Sequence, residues 1–176
     1  MMKHSRISSI PALLALLLVL SVGAGAANAQ EDFGLSGARH PEEGLLFGGQ
    51  PTSDQLAAAG AAGYRVLDLR ASSEDRGYDE AAEARRLGIE YRGIPVDAEA
   101  LQRDETYEAF FAALEGPRPV VAHCATGNRV GGLYYAYLVT RRGLPRNEAL
   151  ARAKASGLRS DALARTVDQW LDRQSP

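Results

Sequence analysis

From residue 44 onward, short apolar runs of strand length alternate with longer stripes at helical spacing. Leu45-Leu46-Phe47 predicts a first strand, closed by Gly48-Gly49-Gln50-Pro51. Thr52 or Ser53 can cap a helix that reaches Ala62, where Gly63 stops it. Tyr64 to Leu69 (YRVLDL) alternates and then turns apolar, as a half-covered strand does. A helix from about Asp79 to Leu87 stops at Gly88, and Ile89 to Val96 predicts the next strand. Glu105 to Leu114 is amphipathic, with Tyr107, Phe110, Phe111 and Leu114 on one stripe, which reads as core. Pro119 to Ala122 is a short buried strand, and Val130 to Arg141 a helix rich in Leu and Tyr. Two further helices follow, roughly Asn147 to Ala155 and Ser160 to Asp172. Strands alternating with helices imply an α/β three-layer sandwich with a mostly parallel central sheet flanked by helices.

The N-terminal residues follow a different pattern. Lys3, His4 and Arg6 precede an apolar run from Pro11 to Val22, and a small-residue stretch closes with Ala27-Asn28-Ala29. This has the layout of a secretory signal peptide over residues 1–29, cut after Ala29. The run is too short for a membrane span, so no stable membrane insertion is expected after cleavage. Residues 30–43, polar and glycine-containing, read as a flexible lead-in, and residues 44–176 as one domain. The expected location is the periplasm or the outside of the cell.

Removing the leader takes away two basic residues and no acidic one, so the formal charge moves from −2 to −4. A mildly acidic surface without a basic run argues against nucleic acid as a partner. Exported proteins usually pair their cysteines. Cys124 stands alone and cannot staple this fold. His4 lies in the leader and His40 in the lead-in, which leaves His123 too isolated for a histidine-based metal site or a Ser-His-Asp triad. No metal or organic cofactor is implied.

The chemistry concentrates in His123-Cys124-Ala125-Thr126-Gly127-Asn128-Arg129. A buried strand ends, a tight loop opens, and a helix begins near Val130, which places the loop at the carboxyl edge of the sheet. Backbone N–H groups in such a turn form an anion-binding nest, and the helix start adds its dipole. Gly127 permits a backbone conformation closed to other residues. The same donors would stabilise a Cys124 thiolate, and Arg129 can clasp a tetrahedral oxyanion through two N–H groups.

This loop resembles the catalytic loop of cysteine-dependent phosphatases and of rhodanese-like sulfurtransferases. More widely, the chain resembles the phosphatase-like domain family named after β-lactamase hydrolase-like proteins, relatives of the dual-specificity phosphatases. LLFGGQPT (Leu45 to Thr52), AAGYRVLDLR (Ala61 to Arg70), GIEYRGIPVD (Gly88 to Asp97) and VVAHCATGNRVGGLYYAY (Val120 to Tyr137) carry the likeness. The resemblance implies that Cys124 is the nucleophile and Arg129 the oxyanion clamp. It implies that His123 positions the loop and helps keep Cys124 ionised. Ala125, Thr126, Gly127, Asn128 and Val130 would complete the substrate-binding loop. Asp97 is the best-placed general acid and Asp104 the second, although Asp104 also reads as a helix N-cap. Arg70, with Glu74 shortly after it, is either a support for the loop or a surface ion pair.

Two departures from the family pattern matter. Cys124 and Arg129 have four residues between them where phosphatases have five, and a smaller loop suits a persulfide at least as well as a phosphoryl group. Val130 stands where phosphatases carry a Ser or Thr that helps the thiolate depart. The leading expectation is a phosphatase-like hydrolase acting on a small oxyanion or phosphoester. A sulfurtransferase fed by a sulfane-sulfur donor is the rival, and a non-catalytic oxyanion-binding module is the third reading.

Overall fold

The structure, a computed structural model, describes residues 31–74 and 77–174. The expected leader and its cut lie outside the described residues. Four parallel strands form the sheet in the order β1-β4-β2-β3: β1 (Leu45–Gly48), β2 (Arg65–Asp68), β3 (Tyr91–Gly93) and β4 (Val120–His123). Among the described residues six α-helices accompany them: α1 (Ser53–Ala61), α2 (Glu80–Arg86), α3 (Asp104–Glu115), α4 (Asn128–Thr140), α5 (Arg146–Ala155) and α6 (Asp161–Gln174). Among the described residues, no helix is long and apolar enough to cross a membrane.

Strand alternation sorts the helices into two layers. Leu45, Phe47, Leu67, Leu69, Val120 and Ala122 face one side and join the core made by α3 to α6. Leu46 and Val121 face the other side, where Ala59 of α1 packs, and Val66 meets Leu56 of α1 and Ala84 of α2. The aromatic stripe of α3 behaves as core, since Tyr107, Phe110, Phe111 and Leu114 are all fully buried. The Tyr107 ring stacks on Trp170 of α6 at 3.8 Å between centroids, and such pairs add about 0.5–1.5 kcal/mol beyond their buried area.

Boundaries move by a residue or two, and the local chemistry explains where they settle. Thr52 is the cap of α1: its hydroxyl accepts the Gln55 N–H while the Gln55 side chain accepts the Thr52 N–H. Asp79 caps α2 through the Ala82 N–H. The third strand is shorter than its apolar run: Ile94 makes a last bond to the Asp68 carbonyl at 2.8 Å, and Pro95 to Asp97 then leave the ladder for the edge loop described below.

The lead-in is the clear difference from expectation. Leu35 is buried beside Leu46, Phe33 meets the Tyr64 ring edge-on at 5.2 Å, and Arg39 and Phe47 exchange backbone hydrogen bonds of 2.8 Å. Described residues 31–43 therefore cover the outer edge of β1 rather than trailing free. A single apolar residue between polar neighbours gives no periodicity to read, yet an exposed β1 edge offers both the backbone partners and the apolar surface that hold it.

Candidate active site

All four strands end at one edge, and their exits converge on the segment after β4. Cys124 follows His123 immediately and is 1% exposed. The chain then turns through Ala125 and Thr126, both exposed, to Gly127 at φ +83°. The turn through Ala125 and Thr126 brings the Gly127 N–H to Cys124 Sγ at 3.1 Å, and the left-handed Gly127 then turns the chain into the helix. Helix α4 starts at the next residue, and its first internal bond runs from the Gly131 N–H to the Gly127 carbonyl at 3.1 Å. The N–H groups of Asn128, Arg129 and Val130 precede that bond, so they form the open, partly positive end of the helix beside the thiol.

Two walls hold this loop. On one side Cys124 N–H approaches the Gly48 carbonyl at 3.4 Å, and Gly49 forms an antiparallel bridge with Thr126. On the other, Asn128 Oδ1 accepts the N–H groups of Arg159 and Ser160 at 2.7 and 3.0 Å, and the Arg159 side chain donates to the Thr126 carbonyl at 2.7 Å. The fit is close: a Cβ on Gly131 would lie 2.3 Å from the Leu158 backbone nitrogen. Asn128 therefore acts as a brace between the loop and the α5–α6 turn. Its side chain is committed to that turn.

Arg129 lies across the exits of β2 and β3. Its Nη1 donates to the carbonyls of Leu69 and Val96 at 3.1 and 3.0 Å, and Glu74 takes it in a two-point contact at 2.5 and 2.8 Å. Bonding to Glu74 raises the Arg129 pKa against the opposing effect of burial, and the nearby Cys124 reinforces it. The same contact lowers the Glu74 pKa, with burial again opposing. Such a fork-to-fork pair fixes the plane of the guanidinium as well as its charge.

Asp97 follows Val96 directly, so the carbonyl that anchors Arg129 also brings Asp97 to this edge. It is exposed, and its Oδ1 accepts the Ala100 N–H at 2.8 Å at the start of a short 3-10 helix (Ala100–Gln102). Asp104 is placed elsewhere: its Oδ1 accepts from Trp170 Nε1 at 2.8 Å and Gln174 Nε2 at 3.0 Å, which ties α3 to α6. It sits one residue inside α3, after Arg103 at the cap position. The Val130 side chain is fully buried in the α3–α6 core, which leaves only its backbone toward the loop.

Beneath the loop lies a cluster of which the sequence pointed only to Arg70 and His123, and not to Asp68, Glu80 or Tyr91. Arg70 is 1% exposed, which overturns its reading as a surface ion pair. Its Nε and Nη2 donate to the two Asp68 oxygens at 2.9 and 2.8 Å, and Nη2 also donates to Glu80 at 2.6 Å. Glu80 meets His123 Nε2 at 2.8 Å, and the Tyr91 hydroxyl donates to Asp68 at 2.7 Å. Burial opposes ionisation of Asp68, but the bonds from Arg70, the charge of His123 and the bond from Tyr91 together bring its pKa down to about 2. Asp68 carried one signal in the sequence: a carboxylate inside an apolar strand must find a partner. Glu80 carried none, because acidic residues are common in the first turn of helices.

No family model matches the chain. Over 140 residues it is 33% identical to the beta-lactamase hydrolase-like protein of Xylella fastidiosa (strain 9a5c), covering 76% of this chain and 31% of that protein. The chain thus spans about a third of the length of the curated relatives it matches. The DUF442 protein from Shewanella putrefaciens CN-32 superposes with a TM-score of 0.64 at 24% identity, over 81% of this chain and 96% of the other. Human DUSP28 superposes at 0.57 with 15% identity, over 78% and 95% of the two chains. Across those 140 residues the chain is a relative of the beta-lactamase hydrolase-like proteins, and its α/β sandwich is the fold of the DUF442 and dual-specificity phosphatase structures.

Proposed function

We propose that this chain is a cysteine-dependent, phosphatase-like hydrolase with Cys124 as nucleophile and Arg129 as oxyanion clamp. One observation carries the reading: Cys124 Sγ accepts the Gly127 N–H at 3.1 Å, beside a helix start and a guanidinium fixed by Glu74. Those donors favour the thiolate, and they are already in place for a tetrahedral anion. The names of the DUF442 and dual-specificity neighbours, described as phosphatases, support the same class. Cys124 attacks phosphorus, and the P–S bond forms as the ester P–O bond breaks. Asp97 supplies the proton to the departing oxygen. Water then attacks phosphorus with Asp97 taking its proton, the P–S bond breaks, and phosphate leaves with the thiolate restored.

A second reading is favoured by Val130, which puts a buried apolar side chain where a hydroxyl would ease departure of the thiolate. In it Cys124 takes the sulfane sulfur of thiosulfate, sulfite departs, and the resulting persulfide passes its sulfur to an acceptor. Incubating the protein separately with an aryl phosphate and with thiosulfate plus cyanide, against Cys124→Ser as blank, decides between them. The hydrolase reading expects phosphate release that vanishes in the blank. Thiocyanate without phosphate establishes the second reading, and neither product leaves an oxyanion-binding module. Asp97→Asn is expected to slow alkyl and phenyl phosphates strongly and nitrophenyl phosphate much less. An equal, small effect on every leaving group removes Asp97 from the mechanism, and the same series on Asp104→Asn tests the other aspartate. Export belongs to the same proposal, and N-terminal sequencing of secreted protein checks the cut after Ala29.

A further inference from the structure

We propose that Glu80 is a positioning residue for Cys124: its buried carboxylate holds His123, the residue immediately before the thiolate, as an imidazolium. The inference deepens the reading of Cys124 as nucleophile and rests on it.

The placement follows from the sheet. Asp68 and His123 are register partners on the parallel strands β2 and β4, so their side chains emerge on the same face. Helix α2 covers that face, and Asp79 caps it so that Glu80 opens its first turn. The His123 ring is therefore enclosed between a carboxylate from β2 and one from α2, and all three side chains are at most 1% exposed. Cys124, one residue on, turns to the opposite face and joins the α3–α6 core.

What the two ring nitrogens meet sets the charge. Nε2 lies 2.8 Å from Glu80 Oε1, a contact that needs a proton on Nε2 because an ionised carboxylate only accepts. Nδ1 is buried without a hydrogen-bond partner, and Asp68 Oδ1 lies 3.9 Å from it. A neutral ring would aim a buried lone pair at that carboxylate, whereas the imidazolium presents an N–H to it. The other charged or titratable groups around the ring are Arg70, bonded to both carboxylates, and Tyr91 on Asp68. Tyr78, adjoining α2, spends its hydroxyl on the Pro51 carbonyl. Arg70 Nη2 bridges the two carboxylates. Asp68, Glu80 and His123 also have the donor types of a metal site, but the Arg70 guanidinium already occupies the position between the two carboxylates. The resulting ion pair sits in a dry interior, where its field on the neighbouring thiolate is weakly screened.

The test reads the thiol itself and needs no substrate, so it stands whatever Cys124 turns over. Rates of iodoacetamide alkylation are followed against pH for the wild-type protein and for Glu80→Gln, which keeps the shape and removes the charge. Circular dichroism checks the fold of each. The expected result is an upward shift of the alkylation midpoint by roughly one pH unit or more in the variant. An unchanged midpoint in a folded variant overturns the proposal. If Glu80→Gln does not fold, nitrogen NMR of the wild-type histidines decides, with His40→Gln and His4→Gln used for assignment. Two protonated ring nitrogens on His123 at pH 7 uphold it, and one unprotonated nitrogen overturns it.

Discussion

The two arginines of this site are held in the same way and for opposite ends. Arg70 and Arg129 each meet a carboxylate through two hydrogen bonds. The Arg70 side chain is 0% exposed and its partner Asp68 1%, whereas Arg129 and Glu74 are 20% and 28% exposed. A pair sealed from water cannot exchange partners without exposing a bare charge, so Arg70 is fixed into the frame. A pair at the rim can trade contacts, because water reaches it. The lesson is that the contact pattern alone does not separate a sealed pair from an exchangeable one; access to solvent does.

That contrast can be broken most severely at the sealed end. Arg70→Gln leaves Asp68 and Glu80 as buried carboxylates without their shared cation. It is expected to lower the unfolding free energy by about 3–5 kcal/mol, measured by urea titration. A loss within about 1 kcal/mol, the range of an exposed pair, would show that water reaches the cluster. At the rim, Arg129→Lys keeps the charge and loses the planar two-point grip. Turnover is expected to drop on the order of 10²-fold with stability little changed, and near-wild-type rates would mark Arg129 as structural.

Acid sharpens the comparison further. The folded Asp68 carboxyl titrates at about 2 against an ordinary value of 3.8. Its contribution is therefore fully present above the unfolded value and is lost as pH falls toward 2. The amount is about 2 kcal/mol, and comparing acid unfolding of the wild type with Asp68→Asn measures it. The smallest effect belongs to Glu74→Gln. Because the pair is partly exposed, its removal should change stability by about 1 kcal/mol or less. Its mark should instead appear as a roughly tenfold fall in kcat/KM, since the guanidinium loses its fixed plane. A stability loss comparable with that of Arg70→Gln would erase the distinction between the two regions.

The elements themselves were legible because each rests on local chemistry. Apolar runs of strand length, a cap at Thr52 or Ser53, and glycines after helices all act within a few residues. The loop was legible too, since strand, cysteine, glycine, arginine and helix follow one another directly in the chain. The lead-in was not. Whether Phe33 and Leu35 pack depends on an edge of β1 whose exposure no local pattern reveals.

What the chain by itself determined, then, is the presence of a tight turn carrying Cys124 and Arg129 between a strand and a helix, because a turn at a helix start is a local object. Only the tertiary structure decided how that turn is wired. The order β1-β4-β2-β3 sets Asp68 beside His123 across a parallel ladder, and α2 then delivers Glu80 to the same ring. It also gives Glu74 to Arg129 rather than leaving it with Arg70, by bringing the exits of β2 and β3 against the start of α4. Charges separated along the chain become neighbours only when strands pair, and pairing order is a property of the whole core.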